Sequence, residues 1–259
     1  MESEEENMEN KTVFITGIFG GIGYATAQCF KSHEWTVIGM DKFNGRDTEK
    51  VVDKFFNMDC SISGNVMEAA DYISSVYGKL DCLVNNAAVQ VCESIDNTTE
   101  EQWDLVFDSN IRTNFMFIKN MHELLKKSQG SVVNVSSVHA IATSKNISAY
   151  AASKGAILAF TRSTALEFAE DGIRVNAVLP GAVNTNMLRE GLSRGNFSGE
   201  SIEKRIDNLG MKTPSKKVGM PAEIAKVIYF LGDNESSSYI TGQSLVADGG
   251  VLAQLSSET

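Results

Sequence analysis

Short apolar runs alternate with amphipathic stretches along most of this chain. Seven runs have the length and content of buried strands, and they fall at 13–15, 36–40, 55–58, 80–84, 131–135, 174–179 and 244–246. Between them, apolar residues recur with helical spacing over about 21–33, 64–77, 100–127, 149–170 and 221–231. This alternation predicts an α/β fold, with a doubly wound parallel sheet of seven strands and helices on both faces.

Two segments break the alternation. Residues 1–10 carry five glutamates and no apolar run, which predicts a disordered acidic tail rather than a signal peptide. Residues 186–217 are polar, glycine-dotted and interrupted by Pro214. Because they follow the sixth strand, we expect a mobile flap of short helices over a substrate. No composition break marks a second domain, so 11–259 is predicted to form one domain.

The composition narrows the range of functions. The net charge is −10, and this acidity argues against nucleic acid or an anionic membrane as a partner. No apolar run approaches the length of a membrane span. The four cysteines form no CxxC pair and the three histidines are scattered. We therefore expect reduced thiols, a cytoplasmic protein and no metal site.

A glycine-rich loop directly follows the first strand and opens the first helix. Gly17, Gly21 and Gly23 allow a tight turn and a close approach of backbone N–H groups to a phosphate. The helix N-terminus adds a partial positive charge for a pyrophosphate. This placement predicts a Rossmann-type dinucleotide site that also includes Phe19 and Ile22.

An acidic residue follows the loop at the spacing that a dinucleotide site needs. Asp41 ends the second strand, eighteen residues after Gly23. A carboxylate there accepts hydrogen bonds from the adenosine ribose hydroxyls and repels a 2′-phosphate. NAD is therefore expected as the cofactor in preference to NADP, although the adjacent Lys42 partly offsets the repulsion.

A tyrosine and a lysine stand one helical turn apart in the fourth helical stretch. Tyr150 and Lys154 share a face, and an ammonium group there is expected to lower the pKa of the phenol. Such a pair also occurs on helices that have no catalytic role. The Ser137 hydroxyl, thirteen residues upstream, can hold a substrate oxygen against the phenol. Ser136 is its rival, with a satisfied strand-end hydroxyl as the plain interpretation.

These features together resemble the short-chain dehydrogenase/reductase family. The likeness spans about residues 11–252 and is carried by motifs that occur in the family's order. They are Thr16-Gly17-x3-Gly21-x-Gly23, Asp59-Cys60, Asn85-Asn86-Ala87-Ala88, Asn110, Ser137, Tyr150-x3-Lys154, Pro180-Gly181-x-Val183-x-Thr185, Tyr239 to Gln243 and Asp248-Gly249-Gly250. Three residues depart from the pattern, because Ile18 and Phe19 are bulky where the loop usually has small residues, and Ala88 replaces a glycine.

The resemblance implies an oxidoreductase that moves a hydride between a nicotinamide cofactor and a secondary alcohol or ketone. It makes Tyr150 the acid/base and Ser137 the partner of the substrate oxygen. Lys154 would hold the nicotinamide ribose, and Asn110 would support a proton-relaying water; a polar residue that pins a helix is the other interpretation of Asn110. The remaining residues that it places along the cofactor are Asp59, Cys60, Asn86, Ala87, Pro180, Val183 and Thr185.

The substrate is less defined than the reaction. Gln90 after the fourth strand and His139 near Ser137 are candidate substrate contacts, and their polarity favours a sugar or polyol. The favoured interpretation of His139 is a polar residue at the pocket rim. The alternative is an NADP-dependent carbonyl or 3-ketoacyl reductase. A more distant one is a non-catalytic NAD-binding regulator, which would have no need of Tyr150 or Lys154.

The assembly is implied only by the resemblance. Family members pair through the two long helices, here about 100–127 and 149–170, which implies a homodimer or a homotetramer. Apolar residues on these stretches serve either the core or an interface, and the sequence does not separate the two roles. They are Phe115, Phe117, Ile157, Phe160 and Leu166.

Overall fold

A seven-stranded parallel sheet forms the centre of the structure. The computed structural model describes residues 10–43, 48–193 and 200–255. The strand order is β3-β2-β1-β4-β5-β6-β7, and every neighbouring pair is parallel. The strands are β1 Thr12–Thr16, β2 Thr36–Asp41, β3 Lys54–Asn57, β4 Cys82–Asn85, β5 Ser131–Val135, β6 Arg174–Pro180 and β7 Ser244–Ala247. The predicted fold class and all seven strands are confirmed.

The helices of the described residues cover both faces of the sheet. They are α1 Gly21–Ser32, α2 Thr48–Val51, α3 Ser63–Val76, α4 Glu100–Phe107, α5 Thr113–Ser128, α6 Ser148–Glu167, α7 Asn186–Ser193, α8 Ile202–Lys212, α9 Pro221–Gly232 and α10 Asn234–Ser237. The stretch predicted as one helix at 100–127 differs, because a π-helical turn at Asp108–Arg112 separates α4 from α5. The sequence pattern did not predict the short helices α2 and α10.

The core lies in two layers, one on each side of the sheet. Along β1, Phe14 packs with Phe117 and Ile38 on one face, whereas Val13 and Ile15 pack on the other. Successive side chains of a strand point to opposite faces, and every residue of β1 is buried. Burial on both faces explains why the strands read as continuous apolar runs.

Local signals set several helix ends near the site. Thr99 caps α4 in a capping box with Gln102, each side chain bonding the other residue's backbone N–H. Helix α5 ends where Gln129 takes the left-handed conformation, with φ of 49°. The short helical turn that follows α6 ends in the same way at Gly172, where glycine adopts a φ of 73° without strain.

The two irregular segments predicted from the sequence are described only in part. Of the acidic tail at 1–10, residues 1–9 lie outside the described residues. The flap at 186–217 contains the short helices α7 and α8, and its residues 194–199 also lie outside them. The motion of the flap stays a prediction. Within the described residues, no helix is long and apolar enough to cross a lipid bilayer.

Candidate active site

The sheet creates a crevice where its strand order reverses. β1 pairs with β2 on one side and with β4 on the other, and ligands of such sheets bind at the carboxyl ends of these strands. The glycine loop leaves β1 at this point, and the Asn85-Asn86-Ala87-Ala88 turn leaves β4 beside it. The topology therefore brings the two motifs together.

The glycine loop and the β4 turn form one packed unit. Gly17 has a φ of 62°, and a Cβ added to it would lie 2.8 Å from the Ala87 Cα. A Cβ on Gly23 would lie 2.2 Å from the Gly17 carbonyl oxygen. The Asn86 Nδ2 donates to the carbonyl oxygens of Thr16 and Gly17 at 3.1 and 2.9 Å. Side chains at the two glycine positions would separate these segments.

The N-terminus of α1 is open to a ligand. Its N-cap residue is Gly20, which has no side chain to cap the helix, and the first turn contains no acid. The backbone N–H groups of a first turn have no partner within the helix, so they suit an anionic phosphate. Gly21 is exposed and Ile22 half-buried at this turn. A Cβ on Gly21 would lie 2.7 Å from the Thr185 Cγ2, so the loop after β6 borders the same space.

Asp41 is held in a defined orientation at the end of β2. Its Oδ2 accepts the backbone N–H of Phe19 at 3.0 Å, and its Oδ1 accepts that of Phe43 at 3.1 Å. The residue is 8% exposed. Each carboxylate oxygen has a second lone pair, which leaves it able to accept a ribose hydroxyl. The sequence did not single out Phe43, because a backbone donor carries no residue signature.

Asp59 and Cys60 lie beside the same strand end. The Asp59 Oδ1 accepts the Ser61 N–H at 2.8 Å and the Ser61 hydroxyl at 2.7 Å. Cys60 is buried, its thiol faces the Met40 carbonyl oxygen at 3.8 Å, and burial raises its pKa to about 12. The Met40 carbonyl oxygen also accepts the Gly17 N–H. Cys60 therefore borders the glycine loop, where the adenosine end of a dinucleotide is expected, and Asp59 precedes it in the chain.

The opposite end of the crevice is formed by the loop after β6. Pro180 ends β6, and Val183 is buried and pairs with Gly219 in an isolated bridge. The Thr185 hydroxyl accepts the Leu188 N–H at 3.3 Å, at the start of α7. This loop connects the carboxyl end of β6 to the flap. The residues predicted to contact the nicotinamide therefore lie at the end of β6 and in the loop before α7.

Tyr150, Lys154 and Ser137 meet at the carboxyl end of β5. All three are buried, with 7%, 2% and 6% of their surface exposed. The Lys154 Nζ donates to the Val135 carbonyl oxygen at 2.8 Å and lies 5.4 Å from the centre of the Tyr150 ring. The Ser136 hydroxyl instead donates to the Lys154 carbonyl oxygen at 2.9 Å. The Ser137 hydroxyl accepts the His139 N–H at 3.2 Å and bonds the Tyr150 phenol.

The pKa of Tyr150 differs from the expectation. Burial raises it to about 12, while the hydrogen bond from Ser137 acts in the opposite direction. Burial also lowers the pKa of Lys154 to about 7, so the charge that was expected to favour the phenolate is itself disfavoured. The sequence correctly pairs the two side chains, but it does not show that both are removed from water.

Asn110 lies fully buried in the π-helical turn and pins three segments together. Its Oδ1 accepts the Val89 N–H at 2.8 Å. Its Nδ2 donates to the Val89 carbonyl oxygen and to the Ser153 hydroxyl, both at 3.0 Å. Ser153 lies between Tyr150 and Lys154 on α6 and was not predicted. These bonds support the interpretation of Asn110 as a pinning residue, and the water relay stays a prediction.

Gln90 faces the flap beside a thiol. Its Nε2 donates to the Cys92 sulfur at 3.2 Å, and a Cβ on Gly191 of α7 would lie 4.0 Å from that nitrogen. Neither Cys92 nor Gly191 was predicted. No residue pattern marks Cys92, because residues 86–92 belong to no strand or helix.

His139 packs against the catalytic candidate. Its ring is 6.0 Å from the Tyr150 ring in a T-shaped arrangement, and its Nδ1 lies 3.0 Å from the Thr143 hydroxyl. Burial lowers the pKa of His139, so the ring is neutral at pH 7. A neutral imidazole keeps one nitrogen for a further hydrogen bond, which suits either a pocket-rim residue or a substrate contact.

Lys154 leads to an expected pH dependence of stability. Its pKa is about 7 in the folded protein, against an ordinary value of 10.5. Between these pH values the unfolded chain binds more protons, so the free energy of unfolding rises with pH by up to about 1.4 kcal/mol per unit. We expect urea unfolding of the cofactor-free protein to show this rise relative to Lys154→Met, in which the other titrating groups are shared. Two parallel pH curves would contradict the burial of an uncharged lysine.

A dinucleotide fold with a proton-transfer tyrosine at its carboxyl edge is typical of an oxidoreductase that works with a nicotinamide cofactor. The family described as enoyl-(acyl carrier protein) reductase matches residues 17–252. The chain is 33% identical to NADPH-dependent aldehyde reductase 1, chloroplastic, of Arabidopsis thaliana, over 95% of this chain and 87% of that protein. The chain belongs to the short-chain dehydrogenase/reductase family.

Two further relatives extend the comparison. A 3-oxoacyl-(acyl-carrier-protein) reductase of Thermotoga maritima is 34% identical, over 95% of this chain and 99% of that protein. The ligand-free structure of Thermoplasma acidophilum aldohexose dehydrogenase aligns with a TM-score of 0.90 and 31% identity, covering 96% and 97% of the two chains. The protein is therefore an enzyme that acts on CH–OH or carbonyl groups with NAD or NADP. This finding removes the non-catalytic alternative.

Proposed function

We propose that this enzyme uses NAD to oxidise a secondary alcohol of a small hydroxylated molecule, a sugar or polyol, and reduces the matching ketone in reverse. The observation that carries the cofactor choice is the oriented carboxylate of Asp41. The polar side chains around Tyr150, namely Ser137, Gln90 and His139, support a hydroxylated substrate. So does the similarity to the aldohexose dehydrogenase.

In this proposal Tyr150 exchanges the substrate proton, and Ser137, Lys154 and Asn110 support that exchange. A bound nicotinamide supplies or accepts the hydride. With a pKa near 12, the phenol is protonated at neutral pH and acts as the acid in carbonyl reduction. The Ser137 hydroxyl holds the substrate oxygen and stabilises its developing charge. Lys154 holds the nicotinamide ribose. Asn110 fixes the segment after β4 against α6 through its hydrogen bonds to Val89 and Ser153.

Substitution of Asp41 tests the cofactor choice. We expect Asp41→Ala to abolish the preference for NAD, because it removes both the acceptor of the ribose hydroxyls and the charge that repels a 2′-phosphate. A change of about tenfold or more in the ratio of the two KM values is expected, equivalent to about 1.4 kcal/mol. Asp53→Ala is the control, because it removes an exposed carboxylate that pairs with Lys31 and accepts the Val37 N–H of β2 at 2.8 Å. Unchanged KM values for NAD and NADP in Asp41→Ala would refute the assignment.

A second candidate is an NADP-dependent carbonyl or 3-ketoacyl reductase. It is favoured by the two relatives whose names state NADPH dependence or 3-oxoacyl reduction. A panel of polyols, aldoses, ketones and 3-ketoacyl thioesters with each cofactor, followed by the absorbance of the reduced nicotinamide, separates the candidates. Turnover confined to 3-ketoacyl thioesters with NADPH would establish the second one.

We also infer that the enzyme forms a homodimer or homotetramer through the faces of α5 and α6. The structure separates residues that the sequence left together. Phe117 and Ile157 are buried in the chain, whereas Phe115 is 47% exposed and Leu166 is 80% exposed. Phe115 and Leu166 therefore have apolar side chains that are available to such an interface.

A further inference from the structure

Two bulky residues occupy the glycine loop where the family usually has small ones, and the sheet accommodates both. Ile18 is fully buried over β2. A Cβ on Gly39 would lie 2.3 Å from the Ile18 Cδ1 and 2.9 Å from its Cγ2. Ile18 therefore fits in this position because residue 39 of β2 has no side chain.

Phe19 makes the second contact between the loop and the sheet. Its ring packs on Phe55 of β3 with the centres 4.9 Å apart and the planes at 67°. Phe55 is the β-sheet partner of Gly39, so Ile18 and Phe19 pack on paired positions of the neighbouring strands β2 and β3. Edge-to-face aromatic pairs of this kind are favourable beyond the area that they bury.

The backbone of Phe19 connects the contact between the Phe19 and Phe55 rings to Asp41. The N–H that donates to the Asp41 Oδ2 at 3.0 Å belongs to the residue whose ring rests on Phe55. The other carboxylate oxygen accepts the Phe43 N–H. With one donor on each oxygen, the carboxylate has a single orientation. Loss of the ring contact would remove one of the constraints that hold the Phe19 N–H against the Asp41 Oδ2.

We propose that Phe55 is a positioning residue for cofactor selection. Through Phe19 it holds the Asp41 carboxylate where that group accepts the ribose hydroxyls and repels a 2′-phosphate. The inference rests on the proposed preference for NAD. It assigns selectivity to an aromatic contact beneath the loop as well as to the acid itself.

The test measures the dissociation constants of NAD and NADP by titration calorimetry, which needs no turnover. In Phe55→Leu we expect the ratio of the NADP constant to the NAD constant to fall by about three- to tenfold, the scale of one ordinary intramolecular hydrogen bond. Phe55→Tyr keeps the ring and is expected to keep the ratio. Phe19→Leu is expected to lower the ratio in the same way as Phe55→Leu.

Tyr72→Leu is the matched control. Tyr72 is half-buried and packs on Phe56 at 5.4 Å, the next residue of the same strand and on its opposite face. Tyr72→Leu is expected to lower the melting temperature about as much as Phe55→Leu does, and to leave the ratio of the two dissociation constants unchanged. A general loosening of β3 would lower the ratio in Phe55→Leu and in Tyr72→Leu alike, and that result would overturn the proposal.

The outcomes separate this inference from the proposed function. A wild-type ratio near one would refute the preference for NAD, and the inference would fail with it. A wild type that selects NAD, together with an unchanged ratio in Phe55→Leu, would overturn the inference alone. If Phe55→Leu does not fold, Phe19→Leu decides the question by the same ratio.

Discussion

Tyr150→Phe is expected to lower kcat by at least ~10²-fold, the usual scale for loss of a general acid or base. The substitution removes only the hydroxyl that exchanges the substrate proton and leaves the buried ring in place. The pKa of about 12 strengthens the expectation, because the phenol then carries the proton that it donates at neutral pH. Steady-state rates in both directions, with the protein's melting temperature measured alongside, provide the test.

The matched control deletes a tyrosine hydroxyl away from the site. Tyr229→Phe alters a half-buried tyrosine of α9 that packs on Phe30 at 5.1 Å, and we expect its kcat to stay close to that of the wild type. Near-normal turnover in Tyr150→Phe would rule out the acid/base role. An equal loss of rate in both variants would point to a general effect of hydroxyl removal.

Gly23→Ala is expected to disrupt the dinucleotide site and the fold around it. The added Cβ would lie 2.2 Å from the Gly17 carbonyl oxygen and 2.8 Å from the Asn86 Nδ2. The oxygen belongs to backbone that is itself bonded to Asn86, so it cannot move independently. We expect a loss of about 1–3 kcal/mol in the free energy of unfolding, together with loss of measurable NAD and NADP binding. Urea unfolding and titration calorimetry measure the two effects.

Gly64→Ala is the control for this variant. Gly64 is the second residue of α3, and an added Cβ there meets nothing within 4 Å. Alanine inside a helix is more stable than glycine by about 0.5–1 kcal/mol, so this variant is expected to gain stability and to bind the cofactor normally. If Gly23→Ala behaves like Gly64→Ala, the packing of the glycine loop is not what shapes the site.

The fold was predictable because its signals are local. The apolar runs that became β1 and β2 lie in buried positions, and the glycine loop between β1 and α1 has one structural meaning in that context. The same reasoning placed Tyr150 and Lys154 on one face of α6. These conclusions need only the periods of strands and helices and the conformational freedom of glycine.

The π-helical turn at Asn110 shows where local reasoning stops. Residues 100–127 have a continuous helical pattern, and nothing in the pattern marks the widened turn at Asp108–Arg112. The turn is accompanied by hydrogen bonds to Val89 and Ser153, which lie 21 and 43 residues away in the chain. Partners at such distances are brought together only by the packed fold.

The properties of the active site likewise divide into those that the sequence determines and those that the tertiary structure decides. The chain's own pattern determined the family, the reaction class and the pairing of Tyr150 with Lys154, because these depend on residue type and spacing. The protonation of that pair was decided by the tertiary structure, which buries both groups and opposes the charge on each. The orientation of Asp41 was also decided there, because its two donors are backbone N–H groups that the fold alone brings to it.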